Sequence, residues 1–250
     1  MLRQLTSVVF AGGFTRLGQV QKRMAKHFPV PVVDELMEEG VIRPKTTPKA
    51  MCILSTACVP ESDEHIDLRE FQSGATHAVH EALVQLYSPS MLDFAANGHS
   101  ESCDANEYFK AVCSDHLYKK LFNFAAKMGK NTVGVVSVDG VAPCAIVDGS
   151  FEESDEDGEF VTFVVNCSSP YTKHVKEETA HELEQRIVAA SSEDPTKQGP
   201  TAEEDQPEVE EGVLKVVATF KSLLPSSGEL DWTLQELRIA AVKGGKPAVA

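Results

Sequence analysis

Residues 159–169, EFVTFVVNCSS, decide the fold. Valines and phenylalanines crowd into a run bounded by an acidic Gly-containing stretch and by Ser-Pro, which reads as a β-strand. Working outward, the same composition recurs at 143–153 (PCAIVDGSFEE) and 132–141 (TVGVVSVDGV) upstream, and at 213–224 (VLKVVATFKSLL) and 231–239 (DWTLQELRI) downstream. Gly, Asp, Ser and Pro punctuate these runs, so they predict an antiparallel sheet. The acidic EESDEDGE at 152–159 is then a solvated hairpin tip, and Asp139 and Asp148, each before a glycine, are turn formers.

Upstream of Asn131 the period is helical. Leu68, Phe71, Ala75, Val79, Ala82 and Leu86 recur at three- and four-residue steps, with Asp67 at the N-cap position. Ser88-Pro89 ends that helix, and a short segment follows as far as the Asn97-Gly98 turn signal. Residues 106–131 then predict two consecutive helices with Ser114-Asp115 between them, their apolar stripe running through Phe109, Val112, Leu117, Leu121 and Ala125, with Gly129 and Asn131 as the stop. Residues 29–67 alternate prolines with short apolar pieces and are expected to be an extended lead-in. Helices followed by a strand meander give an α+β domain over 68–238. It is interrupted near 176–212 by an insertion rich in Glu, Asp, Pro, Ser and Gln, and 239–250 is expected to be a flexible tail.

Charge is unevenly distributed. The formal net charge is −15, yet residues 1–33 hold five basic side chains and no acid. An acidic body repels nucleic-acid phosphates, so direct sequence-specific nucleic-acid binding is not expected. Residues 1–28 form a basic segment with Leu17, Val20, Met24 and Phe28 on one helical stripe and Arg16, Lys22, Arg23 and Lys26 largely opposite. That pattern is expected of a mitochondrial transit peptide; the other readings of the same residues are an ordinary basic N-terminal arm of a cytosolic protein and a helix kept in the mature protein against anionic lipid or in a partner's groove. In any of these forms those four cations are candidates for contact with anionic lipid or a partner.

Six cysteines occur without a C-x-x-C pair, and reduced, mostly buried thiols are expected. No run approaches eighteen consecutive apolar residues, so no membrane-spanning helix is expected.

Catalytic signatures are missing from the sequence. His77 and His80, three apart with Glu81 alongside, have the spacing of a metal pair but no third ligand at fixed spacing, and exposed polar surface is the expectation. His181-Glu182-Leu183-Glu184-Gln185 lacks the second histidine of a zinc-protease helix. No phosphate-binding glycine loop and no G-x-S-x-G elbow is present, so no catalytic, metal or cofactor residues are assigned. Trp232, with Leu234 and Leu237, reads as part of the core in a last strand.

The order of elements and several phrases resemble the TIM forty-four-like family. They are FQSGATHAVHEAL at 71–83, CSDHLYKKLFNFA at 113–125, the strands flanking 152–159, and 213–224 followed by DWTLQE at 231–236. The resemblance implies helices packed on a curved antiparallel sheet, a cone-shaped domain of the nuclear-transport-factor-two-like type behind an extended N-terminal arm. It also implies a non-enzymatic docking or accessory subunit of a large mitochondrial assembly, with protein subunits as partners, on the matrix side of the inner membrane. This chain lacks the long charged N-terminal region of the translocase subunit, which favours a mitoribosomal or respiratory-complex (including ATP synthase) role. The alternative is a small-molecule binder or an isomerase- or dehydratase-type enzyme using the cone's pocket. That alternative requires a His or carboxylate in the pocket, and lining only by residues such as Phe124, Val136 and Phe163 would defeat it.

Overall fold

The computed structural model describes residues 31–44, 46, 48–57, 66–97, 103–130, 136–154, 158–175, 208–224 and 230–243. The expected presequence at 1–28 and most of the expected insertion, 176–207, lie outside the described residues. Helices come first: α1 Pro31–Glu38, α2 Pro48–Ala57, α3 Leu68–Leu86, α4 Pro89–Asn97, α5 Asp104–Val112 and α6 Asp115–Lys130. Strands follow: β1 Val136–Val138, β2 Ala145–Ser154, β3 Gly158–Val175, β4 Glu208–Leu223 and β5 Thr233–Lys243.

The five strands form one open antiparallel sheet. β3 pairs with β4 along its length, β4 with β5, and the other edge of β3 is shared by β2 at its start and β1 at its end. Burial alternates along β3: Val161, Phe163, Val165, Cys167, Ser169 and Tyr171 are buried, and the residues between them are half-buried. In β4 the register sets Phe220 opposite Phe163, Ala218 opposite Val165 and Val216 opposite Cys167, so the two strands build one apolar face. Helix α3 turns Leu68, Phe71, Ala75, Val79, Ala82 and Leu86 into the same core.

Both free edges of the sheet are touched by irregular chain. Ile42 bridges to Ile146 on β2, and Cys113, at the α5–α6 junction, bridges to Leu234 on β5, where the Ser114 N–H donates to the Leu234 carbonyl at 3.0 Å. Such cover protects an edge from pairing with other chains.

Asp67 caps α3 as its position in the sequence implies. Its carboxylate accepts from the backbone N–H groups of Arg69 at 2.9 Å and Glu70 at 3.1 Å, two donors the first turn would otherwise leave without a helical partner. Arg69 then reaches back to the turn just after α1, donating to both carboxylate oxygens of Glu39 at 2.7 and 2.9 Å. That hydrogen bond holds the Glu39 carboxyl below its usual range. Replacing Asp67 by alanine is expected to cost about 1 kcal/mol, read as a lower urea midpoint at unchanged slope. No loss would mean that water satisfies those amides equally well.

Five expectations are corrected. Residues 29–67 are not an extended lead-in, because α1 and α2 lie within them. Pro31 and Pro48 stand at the first helical position, where the missing N–H costs nothing, so these prolines start helices that the sequence reading took them to prevent. Strand β4 begins at Glu208, inside the expected insertion, because Val175 and Glu208 already pair across the sheet. Residues 239–243 belong to β5, whose pairing with β4 runs on to Lys243 opposite Gly212.

Gly129 lies inside α6 and does not end it. A Cβ there would sit 2.9 Å from the Ala96 Cβ and run into the Leu92 carbonyl, so the glycine serves the close approach of α4. Asp148 lies at a bulge in β2, where the pairing with β3 shifts between Ile146 and Asp148, and its carboxylate accepts from the Gly149 N–H.

Candidate functional site

Three places bear on function: the inner face of the sheet, a cleft beside α3, and the outer face of α6. On the inner face four aromatic rings meet. Phe71 lies edge-on to Phe163 at 4.9 Å and to Phe220 at 5.8 Å, and touches Trp232 at 4.6 Å; Trp232 in turn stacks on Phe163 at 5.5 Å with 27° between planes. Phe163 is fully buried and Trp232 half-buried, so the tryptophan is part of the core packing, as its sequence context implies. The rings fill the space between α3 and the sheet, and this cluster carries no titratable group. Phe124, named with Phe163 as a possible lining residue, sits instead on the outside, 39% exposed.

The cleft has a volume of about 440 Å³ and is lined by Gln72, Thr76, His77 and His80 of α3 together with Gly140 and Pro143 from the chain between β1 and β2. Thr76 ties its two walls together. Its hydroxyl donates to the Gln72 carbonyl at 2.7 Å and accepts from the Cys144 N–H at 3.0 Å. His77 is exposed, as expected, but His80 is half-buried and its Nδ1 has no hydrogen-bond partner among the described residues.

Among the described residues no group of three or more His, Cys, Asp or Glu side chains stands together in a way that could hold a metal ion. On another side of α3 the Tyr108 hydroxyl donates to the Ala78 carbonyl, and burial pushes its pKa up to about 12. Burial does the same to the Cys113 thiol, also to about 12. Near neutral pH both groups keep their protons, and neither is an activated nucleophile or base.

The α6 face is where charge and shape combine. His116, Lys119, Lys120, Asn123, Phe124 and Lys127 are all exposed, and after Asp115 the helix contains no acid. A 3.6-residue period sets His116, Lys120, Asn123 and Lys127 in one strip, with Phe124 along its side. Leu117, Leu121 and Ala125 fill the buried side. Phe124 packs edge-on against Tyr87 at the end of α3, ring centres 6.3 Å apart, and Val84, one turn before Tyr87, is 37% exposed. Described ion pairs engage Arg69, Lys110, Lys173, Lys221 and Arg238; Lys119, Lys120 and Lys127 form none with a described residue.

The sequence reading missed this face because it sought the apolar stripe. The spacing of His116, Lys120 and Lys127 in an acid-free run was the signal present. The candidate contacts Arg16, Lys22, Arg23 and Lys26 lie outside the described residues. No helix among the described residues is long and apolar enough to cross a membrane. No protein-family model matches the chain, and no curated protein matches it.

Proposed function

We propose that the chain is a non-enzymatic docking or accessory subunit of a large mitochondrial assembly on the matrix side of the inner membrane, its core a cone-shaped domain of the nuclear-transport-factor-two-like type. The observation that carries this reading is the outer face of α6: lysines that form no ion pair with a described residue, around an exposed phenylalanine, on a chain whose net charge is −15. Exposed lysines that pair with no described acid give complementarity to an acidic surface of a partner subunit. An aromatic side chain among them supplies apolar area at low entropic cost. The acid-free residues 1–33 support the compartment, and the ring-filled inner face of the sheet supports docking over catalysis.

The test is a triple variant, Lys120→Glu, Phe124→Asp and Lys127→Glu, compared with the parent chain, each tagged at the C-terminus and expressed in cells. Matrix and membrane extracts are run on a size gradient. The parent chain is expected to migrate with a large particle, and the variant to lose about tenfold of that association, on the order of 1.4 kcal/mol. All three side chains are exposed, so folding should be unaffected, checked by circular dichroism. Migration of the parent chain as a small free species would overturn the reading.

Small-molecule binding is the second reading, and the observation that favours it is the His80 Nδ1, without a partner among the described residues, beside a 440 Å³ cleft.

A further inference from the structure

We propose that Cys144 and Cys167 form a dithiol site that peroxide closes into a disulfide across the junction of β2 and β3. The geometry rests on register. Ala145 pairs with Asn166 and Ile146 with Val165, and continuing that register one residue past the start of β2 sets Cys144 opposite Cys167.

The hydrogen bonds around them identify the kind of pair. The Ile146 N–H donates to the Val41 carbonyl at 2.8 Å and its carbonyl accepts from the Arg43 N–H at 2.9 Å, so both groups point away from β3. Two residues earlier the Cys144 N–H also points away, to the Thr76 hydroxyl. In an antiparallel ladder this alternation marks Cys144–Cys167 as a non-hydrogen-bonded pair, with Cα atoms about 4.5 Å apart, within the roughly 4.4–6.8 Å that a disulfide spans.

Both side chains are buried, at 0% and 6% exposure, and the two thiols influence one another electrostatically. That interaction holds Cys144 below the ordinary thiol range and, together with burial, pushes Cys167 above it, so one sulfur is the better nucleophile and the other keeps the proton. Access comes from the cleft: Thr76, Gly140 and Pro143 line it, and Pro143 adjoins Cys144. That cleft, about 440 Å³ in volume, has room for a reagent as small as hydrogen peroxide.

The chemistry balances with peroxide as the oxidant. The Cys144 thiolate attacks one oxygen, the O–O bond breaks, and the departing hydroxide takes a proton to leave as water. The Cys167 sulfur then displaces hydroxide from the sulfenic acid on Cys144; the S–S bond forms as the S–O bond breaks, and the Cys167 proton leaves in a second water. Two thiols are oxidised and one peroxide is reduced to two waters.

The experiment uses the full reduced chain, treated with a small excess of hydrogen peroxide, quenched with an alkylating agent, digested and read by mass spectrometry. The expected product is a linked peptide pair containing Cys144 and Cys167, two hydrogens lighter than the sum of its parts and reversed by dithiothreitol. It should exceed any other cysteine linkage by about tenfold, because the register sets these two residues opposite each other at a separation a disulfide can span. In Cys167→Ser the sulfenic acid on Cys144 should persist and be trapped by dimedone, with the unfolding midpoint reporting whether the variant folds. Recovery of both thiols unlinked after peroxide, or linkages spread evenly over other cysteine pairs, would overturn the proposal. The unsubstituted chain decides this without any variant.

Discussion

Phe163→Ala lowers the unfolding free energy by about 3–5 kcal/mol, the largest single loss expected in this chain. The ring is fully buried, edge-on to Phe71, stacked on Trp232, and opposite Phe220 in the β3–β4 register. Its neighbours are built around it. A Cβ on Gly149 of β2 would come within 3.1 Å of the Phe163 ring, so the strand next door gives up a side chain to make room.

Removing the ring leaves a cavity between two strands and a helix that cannot collapse together without breaking register. The cost therefore combines lost transfer energy with an unfilled void. Against a typical domain stability of about 5–15 kcal/mol, that is a large share of the total. Trp232 is the only tryptophan and touches the ring directly, so its fluorescence reports both the local change and the urea midpoint. A loss below about 1 kcal/mol would mean that the ring is not in the core, and the aromatic cluster would have to be withdrawn.

Gly129→Ala decides between two opposite signs. Helix propensity alone makes alanine better than glycine by about 1 kcal/mol inside α6. Tertiary contact makes it worse. The new methyl group would meet the Leu92 carbonyl and lie 2.9 Å from the Ala96 Cβ, so α4 and α6 must move apart. Overpacking of this kind costs about 1–3 kcal/mol, and the net effect is destabilising. Gly74→Ala on α3 is the internal comparison, because a Cβ there meets nothing within 4 Å and the substitution should stabilise by about 0.5–1 kcal/mol. If both variants gain stability, α4 and α6 do not approach as described.

Much of the fold was legible from local pattern. Helix α3 carries its own period and its own cap, and the strand runs announce themselves by β-branched and aromatic content. Each of these signals acts within a few residues, through backbone hydrogen bonds and side-chain spacing that the neighbouring sequence fixes. Helices α1 and α2 escape the local pattern for a local reason: proline at the first helical position looks, residue by residue, like proline in a loop.

The extent of β4 and β5 could not be read locally. Glu208, Glu210 and Glu211 are poor strand formers alone, and they become strand by pairing with Val175, Lys173 and Thr172.

The candidate surfaces divide the same way. The basic composition of α6 is written in the sequence, but which side of the helix faces outward, and that Phe124 lies there beside Tyr87, follows from how α6 packs. Composition, charge and periodicity by themselves determined a helices-then-sheet α+β chain with an acidic body and a basic start. Only the tertiary structure decided that Cys144 faces Cys167, that Phe71 reaches Phe163, Phe220 and Trp232, and that Gly129 must stay a glycine. These contacts join residues far apart in the chain, and they exist because strand register and helix packing fix a geometry that no short window of sequence contains.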